Sequence, residues 1–212
     1  MSNHHVCPWW LAYSFDNPLR RLIHNPREIL SAYVKEGMTA IDIGCGMGFF
    51  TLGLAELVGD TGLVIAADLQ QQMLDIMLKR ATGKGLAHRI IPQRANPTAI
   101  GVTTPVDFGL AFWMIHEVPD PTIFFKEVKA ILKPSAKLLY AEPAWHVSAS
   151  KYQKILAVAE KTGLSMSMAL KIRFSRAALL ENKAELLFTA AVHTIFCRCM
   201  ELNSAAQINS LI

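Results

Sequence analysis

Apolar residues along this chain recur at two different periods, and the two periods alternate. Thr39, Ala40, Ile41 and Ile43 form a short apolar run with a β-branched bias, which predicts a buried strand. Residues 49–58 (FFTLGLAELV) resume at helical spacing, and residues 63–67 (LVIAA) read as a second strand. Residues 70–80 place Met73, Leu74, Met77 and Leu78 on one helical stripe, which reads as core packing. Strands follow at 89–92 and 106–112 (VDFGLAF). Asp120 and Pro121 supply an N-cap and a first-turn proline for a helix running to about Leu132, closed by Lys133 and Pro134. A strand over 137–142, a helix over 148–161, and two strands at 165–172 and 174–181 complete the series. Ahead of them all, residues 26–36 (PREILSAYVKE) put Ile29, Leu30, Tyr33 and Val34 on one helical face, with Pro26 at the first position. Strands alternating with helices predict an α/β domain whose parallel sheet is covered on both faces.

Chemistry concentrates where the first strand ends. Gly44, Gly46 and Gly48 break the apolar run and lead into the helix, so a ligand can approach bare backbone at a helix N-terminus. The second strand ends at Asp68, twenty residues after Gly48. A carboxylate there is placed to accept hydrogen bonds from both ribose hydroxyls, so the site predicts a nucleoside. The glycine spacing narrows the choice. A dinucleotide fingerprint reads G-x-G-x-x-G, and here Phe49 stands at the third glycine position, which disfavours a dehydrogenase. Asp42 lies inside the strand end, where its charge repels a pyrophosphate and suits a sulfonium or a free amino group.

Composition adds constraints. The 212 residues are 52% hydrophobic and 18% charged, enough for one large core with some extension. The net charge of +4 is spread along the chain without a dense Lys/Arg block, so nucleic acid binding is not indicated. No run of about 18 uncharged apolar residues predicts a membrane span, and the first residues lack the layout of a signal peptide. Cys7, Cys45, Cys197 and Cys199 show neither a disulfide framework nor, with His4 and His5, a zinc-ribbon spacing. Reduced thiols in a cytoplasmic enzyme, without a metal, are expected.

The pattern [D/E]-x-G-x-G-x-G at Asp42–Gly48 resembles motif I of the class I S-adenosylmethionine (SAM)-dependent methyltransferases. Residues 107–118 (DFGLAFWMIHEV) look like the family's motif after strand four. Residues 131–143 (ILKPSAKLLYAEP) match its L-K-P-G-G-x-L turn, with Ser135 and Ala136 where two glycines are usual. The resemblance covers roughly residues 26–183 and is nearest to the ubiquinone/menaquinone-biosynthesis type of small-molecule methyltransferases. It implies a Rossmann-like three-layer sandwich, with a mostly parallel seven-stranded sheet and an antiparallel last strand. It also implies that Asp42, Gly44, Gly46 and Gly48 face the methionine moiety, that Asp68 holds the ribose, and that Leu69 packs on the adenine. The loop after strand three (Arg94, Ala95, Asn96, Pro97) lacks the family's usual carboxylate, so Ala95 and an amide from Asn96 would meet the adenine. Phe112 would line the methyl-donor channel.

At the acceptor end the candidates are His116, Glu117, Glu142 and His146. A base is needed only if the small-molecule acceptor must lose a proton. His116 is either that base or a hydrogen-bond partner ordering the loop before Asp120, and Glu142 either takes part or binds a main-chain amide. Residues 1–25, with Trp9, Trp10, Tyr13 and Phe15, form either a lid over the acceptor pocket or an aromatic staple on the sheet. Residues 184–212 form an apolar extension, with strand and helix both open for 184–202, that packs on the domain edge or on a second copy of the chain. Two classes of function stay open: an active methyltransferase with a small-molecule acceptor, and a non-catalytic SAM-binding domain that regulates or scaffolds a partner.

Overall fold

The computed structural model describes residues 18–183. The expected lid residues 1–17 and the extension 184–212 lie outside the described residues. Within them the chain runs α1 (Pro18–Ile23), α2 (Pro26–Leu30), β1 (Thr39–Ile43), α3 (Phe49–Val58), β2 (Leu63–Asp68), α4 (Gln71–Gly83) and β3 (Ile90–Arg94). It continues through β4 (Val106–Phe112), α5 (Pro121–Ile131), β5 (Leu132–Pro143), α6 (Ala149–Lys161), β6 (Leu164–Leu170) and β7 (Ser175–Asn182).

The strands form one sheet in the order β3-β2-β1-β4-β5-β7-β6. β1 to β5 are mutually parallel, and β7 enters antiparallel between β5 and β6 with Leu138 opposite Leu180. This is the expected Rossmann-like sandwich. Period-two alternation explains the continuous apolar runs, because both faces are buried. Ile41, Ile43, Val106 and Leu138 pack with Phe125, Val128 and Leu156 on one face. Ala40, Val64, Phe108 and Leu110 pack with Leu54, Val58, Leu74 and Met77 on the other. Chain connections diverge to opposite sides between β1 and β4, and that switch point opens a cleft beyond the C-terminal strand ends.

Caps fall where the sequence puts them. Asp120 Oδ1 accepts from the backbone N–H groups of Thr122 and Ile123 at 2.7 and 3.3 Å, and Ser148 Oγ accepts from Lys151 N. Two boundaries differ. The helix expected over 26–36 is regular only to Leu30, after which single turn bonds from Tyr33 and Val34 to Leu30 O carry the chain onward. Likewise, Lys133 and Pro134 do not form a loop after α5, because β5 already starts at Leu132. Proline excludes the helical region for the residue before it, so Lys133 is extended. Residues between Leu132 and Lys137 then bulge out of register with β4. The bulge is pinned by Lys133 Nζ donating to Asp107 Oδ1 at 2.7 Å, while Asp107 Oδ2 accepts from Thr39 N. Ser135, standing where the family has glycine, takes a φ of +64° there.

Candidate active site

The three glycines of the turn serve three purposes. Gly44 N and Cys45 N both donate to Ala67 O, and Gly46 N donates to Asp68 Oδ2 at 2.9 Å, so the turn is stitched to the end of β2. A Cβ on Gly44 (φ +72°) would come within 2.9 Å of Met114, and one on Gly48 (φ +85°) within 2.5 Å of Met77. Gly46 (φ +53°) has nothing within 4 Å of its missing side chain, so its face is open to the cleft. Gly48 is set back from the cleft wall, as the left-handed cap of α3 against α4.

Asp68 and Asp42 meet behind this turn. Besides Gly46, Asp68 holds Gln70 N on its other oxygen at 2.9 Å, and the residue lines the cleft. Burial raises its carboxyl above the ordinary range. Asp42 is 3% exposed and accepts from Thr51 Oγ at 2.6 Å. Burial pushes its carboxyl up to about 7, with the nearby Asp68 adding to the rise. Leu69, Ala95 and Asn96 line the adjoining stretch of wall. Ala95 N is tied to Asp68 O, and Asn96 Oδ1 is taken up within its own loop by Thr98 N and Thr98 Oγ, both at 3.0 Å. The amide acceptor of Asn96 is therefore used in shaping the loop.

The other end of the cleft is assembled from β4 and β5. Phe112 closes β4, and Trp113 follows in the left-handed region at φ +63°, with Nε1 donating to Ser175 Oγ at 3.0 Å. The Trp145 ring meets Trp113 edge to face at 4.8 Å. Glu142 is fully buried and clamps His116 twice: Oε1 accepts from His116 N at 2.9 Å, and Oε2 lies 2.6 Å from His116 Nδ1. A carboxylate in this position selects the tautomer with hydrogen on Nδ1 and leaves the Nε2 lone pair for another partner. Nε2 lies 3.8 Å from Glu117 Oε1, and the His146 ring stands 4.8 Å from that of His116. His116 and His146 line the cleft, whereas Glu142 stands behind them. Underneath, the rings of Tyr140 and Tyr152 stack at 5.1 Å. Burial and the charge of Glu142 hold both phenols above their ordinary range. The backbone of His116 thus helps to order the loop through Glu142, and the residue lines the cleft.

One cavity of about 720 Å³ joins the two ends, with Asp42, Gly46 and Asp68 on one side and Phe112, His116 and His146 on the other. That volume suits a nucleoside-sized ligand beside a small second molecule. Arg20, from α1, also stands on this wall; the sequence carries no signal that would have singled it out.

Residues 40–135 match a family described as methyltransferase domain. Over that stretch the chain is similar to a methyltransferase domain. Among curated relatives, the demethylmenaquinone methyltransferase of Lactobacillus johnsonii is 34% identical over 111 residues, covering 50% of this chain and 43% of that protein. The ubiquinone/menaquinone biosynthesis C-methyltransferase of Shewanella frigidimarina is 29% identical over 112 residues, covering 52% and 45%. The matched stretch thus spans under half the length of these relatives. A solved SAM-dependent methyltransferase from Aquifex aeolicus superposes with a TM-score of 0.75 at 22% identity, covering 84% of this chain and all of that one. A [4+2]-cyclase, SpnF, shares the fold with a TM-score of 0.61 at 16% identity, covering 77% and 80%. The site fits SAM, the cofactor that the resemblance implies. The open face at Gly46 is a cradle that any Cβ would fill, and the Asp68 carboxylate beside it on the same wall suits a ribose diol.

Proposed function

We propose that this protein transfers a methyl group from SAM to a small-molecule acceptor that loses a proton in the reaction. In this reading Asp68 receives the ribose, and Leu69, Ala95 and the Asn96 loop border the adenine. Asp42 and the backbone of Gly44 and Gly46 face the methionine end, Gly48 supports them from behind, and Phe112 flanks the methyl group. When bound, SAM supplies an electrophilic methyl whose bonding electrons stay with sulfur as the methyl leaves. The acceptor occupies the other end, against Trp113 and Trp145, with His146 beside it. His116 Nε2 takes the acceptor's proton, and Glu142 fixes the tautomer and stabilises the imidazolium that forms.

The observation that carries this reading is the buried Glu142 carboxylate clamping His116 on the wall of the same cavity as the glycine turn. A domain that only bound SAM would have no use for an oriented base there. The relatives' names point the same way, since adding methyl to a carbon of demethylmenaquinone must release a proton. The acceptor class proposed is accordingly an apolar ring compound with an acidic hydroxyl or activated carbon. Self-association through the apolar residues 184–202 and a cytoplasmic setting complete the proposal; light scattering of the full chain over a range of concentrations tests the first.

The test of function is SAM turnover by the full chain against a panel of hydroquinones and phenols. Acceptor-dependent formation of S-adenosylhomocysteine is expected, and it should fall about 100-fold or more in His116→Gln, a typical loss for a general base. Tight S-adenosylhomocysteine binding without turnover on any member of the panel, or turnover indifferent to His116, overturns the assignment.

A further inference from the structure

The hairpin turn between β6 and β7 stands at the mouth of the cleft. Ser175 lies opposite Pro143, so residues 171–174 reach beyond the C-terminal end of β5, where the cavity opens. Three parts of the chain meet at this turn. Ala144 N donates to Phe174 O at 2.9 Å, Arg176 Nη1 donates to Ala144 O at 2.7 Å, and His24 Nε2 lies 2.7 Å from Arg173 O. Each part brings an apolar side chain that is left in solvent: Phe174 is 52% exposed, Trp145 60% and Leu22 80%. Phe174 also holds a φ of +57°. A bulky residue is strained in that region, and an exposed ring gains little burial in exchange. Folding alone gives no reason for a phenylalanine at this tip.

The charges among these side chains have one sign. Arg21, Lys171 and Arg173 are exposed, and residues 18–24, 143–154 and 161–176 contain no aspartate or glutamate. The guanidinium carbon of Arg173 lies 5.3 Å from the ring centroid of Phe174, so a cation and an aromatic ring are presented together. Aromatic rings beside lysine and arginine suit the headgroup layer of a bilayer, with the rings at the acyl boundary and the cations at the phosphates. We infer that this rim docks on a membrane surface bearing anionic phospholipid headgroups. Trp145 belongs both to the rim and to the cavity wall, where it meets Trp113. Docking would let an apolar acceptor pass from the bilayer into the cavity along these two rings. That delivery rests on the acceptor proposed above, whereas the docking rests on the rim alone.

Co-sedimentation of the full chain with sucrose-loaded vesicles tests the docking without any turnover. Vesicles of phosphatidylcholine mixed with phosphatidylglycerol should bind the protein about tenfold or more tightly than phosphatidylcholine alone, and added salt should weaken that binding. Replacing two cations together, Lys171→Gln with Arg173→Gln, should weaken it about 20-fold, at about fivefold for each charge. Phe174→Gly removes the ring and suits the positive φ, so binding should fall about tenfold while the melting temperature holds. Should the double variant fail to fold, Phe174→Gly carries the test alone. Absence of co-sedimentation, equal binding to both kinds of vesicle, or binding that no folded variant weakens overturns the proposal. Self-association of the wild type that these variants abolish also overturns it, since the rim would then be an interface between copies of the chain. Vesicle binding that responds as expected, in a protein that methylates no member of the phenol panel, upholds the docking and strikes only the acceptor.

Discussion

The two ends of the cleft are built from different materials. At the β1–β2 end the lining is largely backbone and short carboxylates, and the partners lie close in sequence: Asp68 reaches Gly46 across 22 positions, and Thr51 reaches Asp42 across nine. At the β4–β5 end the lining is large side chains set by distant segments, with Trp113 tied to Ser175 across 62 positions and His24 to Arg173 across 149. The first end has few ways to vary, because backbone geometry and two carboxylates fix it. Replacing a tryptophan or a histidine at the second end changes what fits without unmaking the fold. In the proposed reading the cofactor lies at the first end and the acceptor at the second, and the architecture divides along that line.

The severest way to break this contrast is at Gly46. Gly46→Val puts a β-branched side chain into the open cradle at positive φ, so S-adenosylhomocysteine binding should fall below detection by calorimetry. With no protein atom nearby to clash, the far-ultraviolet circular dichroism should remain that of the folded domain.

At the other end, Glu142→Gln should cost turnover nearly as much as His116→Gln, about 100-fold. A glutamine amide can donate to His116 Nδ1, which would turn the tautomer and leave hydrogen on Nε2. Both variants should bind S-adenosylhomocysteine within about threefold of wild type. A matching loss of cofactor affinity would erase the separation between the two ends.

Asp68→Ala comes next, with an expected loss of about tenfold or more in affinity from the ribose contacts. Asp68 also ties Gly46 N and Gln70 N, so the variant should melt at a lower temperature too.

The mildest effect is on pH. Asp42, with its carboxyl at about 7, is protonated in the free domain below that value and loses its attraction for an ammonium. S-adenosylhomocysteine affinity should therefore weaken about tenfold between pH 8 and pH 6, and Asp42→Asn should flatten that profile. Stability runs the opposite way. Between about 4 and 7 the folded chain holds a proton that the unfolded chain has released, so burial of Asp42 destabilises the domain most above pH 7, and this penalty fades toward pH 4. Asp42→Asn should consequently raise the melting temperature at pH 8 and change it little at pH 4.

The same division governs what the sequence discloses. The helix cap at Asp120 and the glycine turn depend on residues close in sequence, so Asp120 and the Gly44–Gly48 run can be read directly. The Glu142 clamp could not, because it depends on β4 and β5 lying side by side, with Phe112 opposite Ala141. Arg20 gave no sign either, since an arginine in a short helix looks like any solvated cation until Phe49 and Trp113 are packed against it. The apolar spacing over 26–36 overextends the helix, because it persists beyond Leu30, where turn bonds replace the regular helix. The glycines read as a set, but only their neighbours show that a Cβ on Gly44 would meet Met114, one on Gly48 would meet Met77, and one on Gly46 would meet open space.

That last distinction bears on inhibition. A compound seated over Gly46 would rest on main-chain atoms, which a point mutation cannot remove. In the proposed reading, every replacement of that glycine would add a Cβ that obstructs such a compound and SAM together. Resistance arising there would disable the protein, whereas a compound gripping Trp113 or His146 could be escaped by exchanging one side chain.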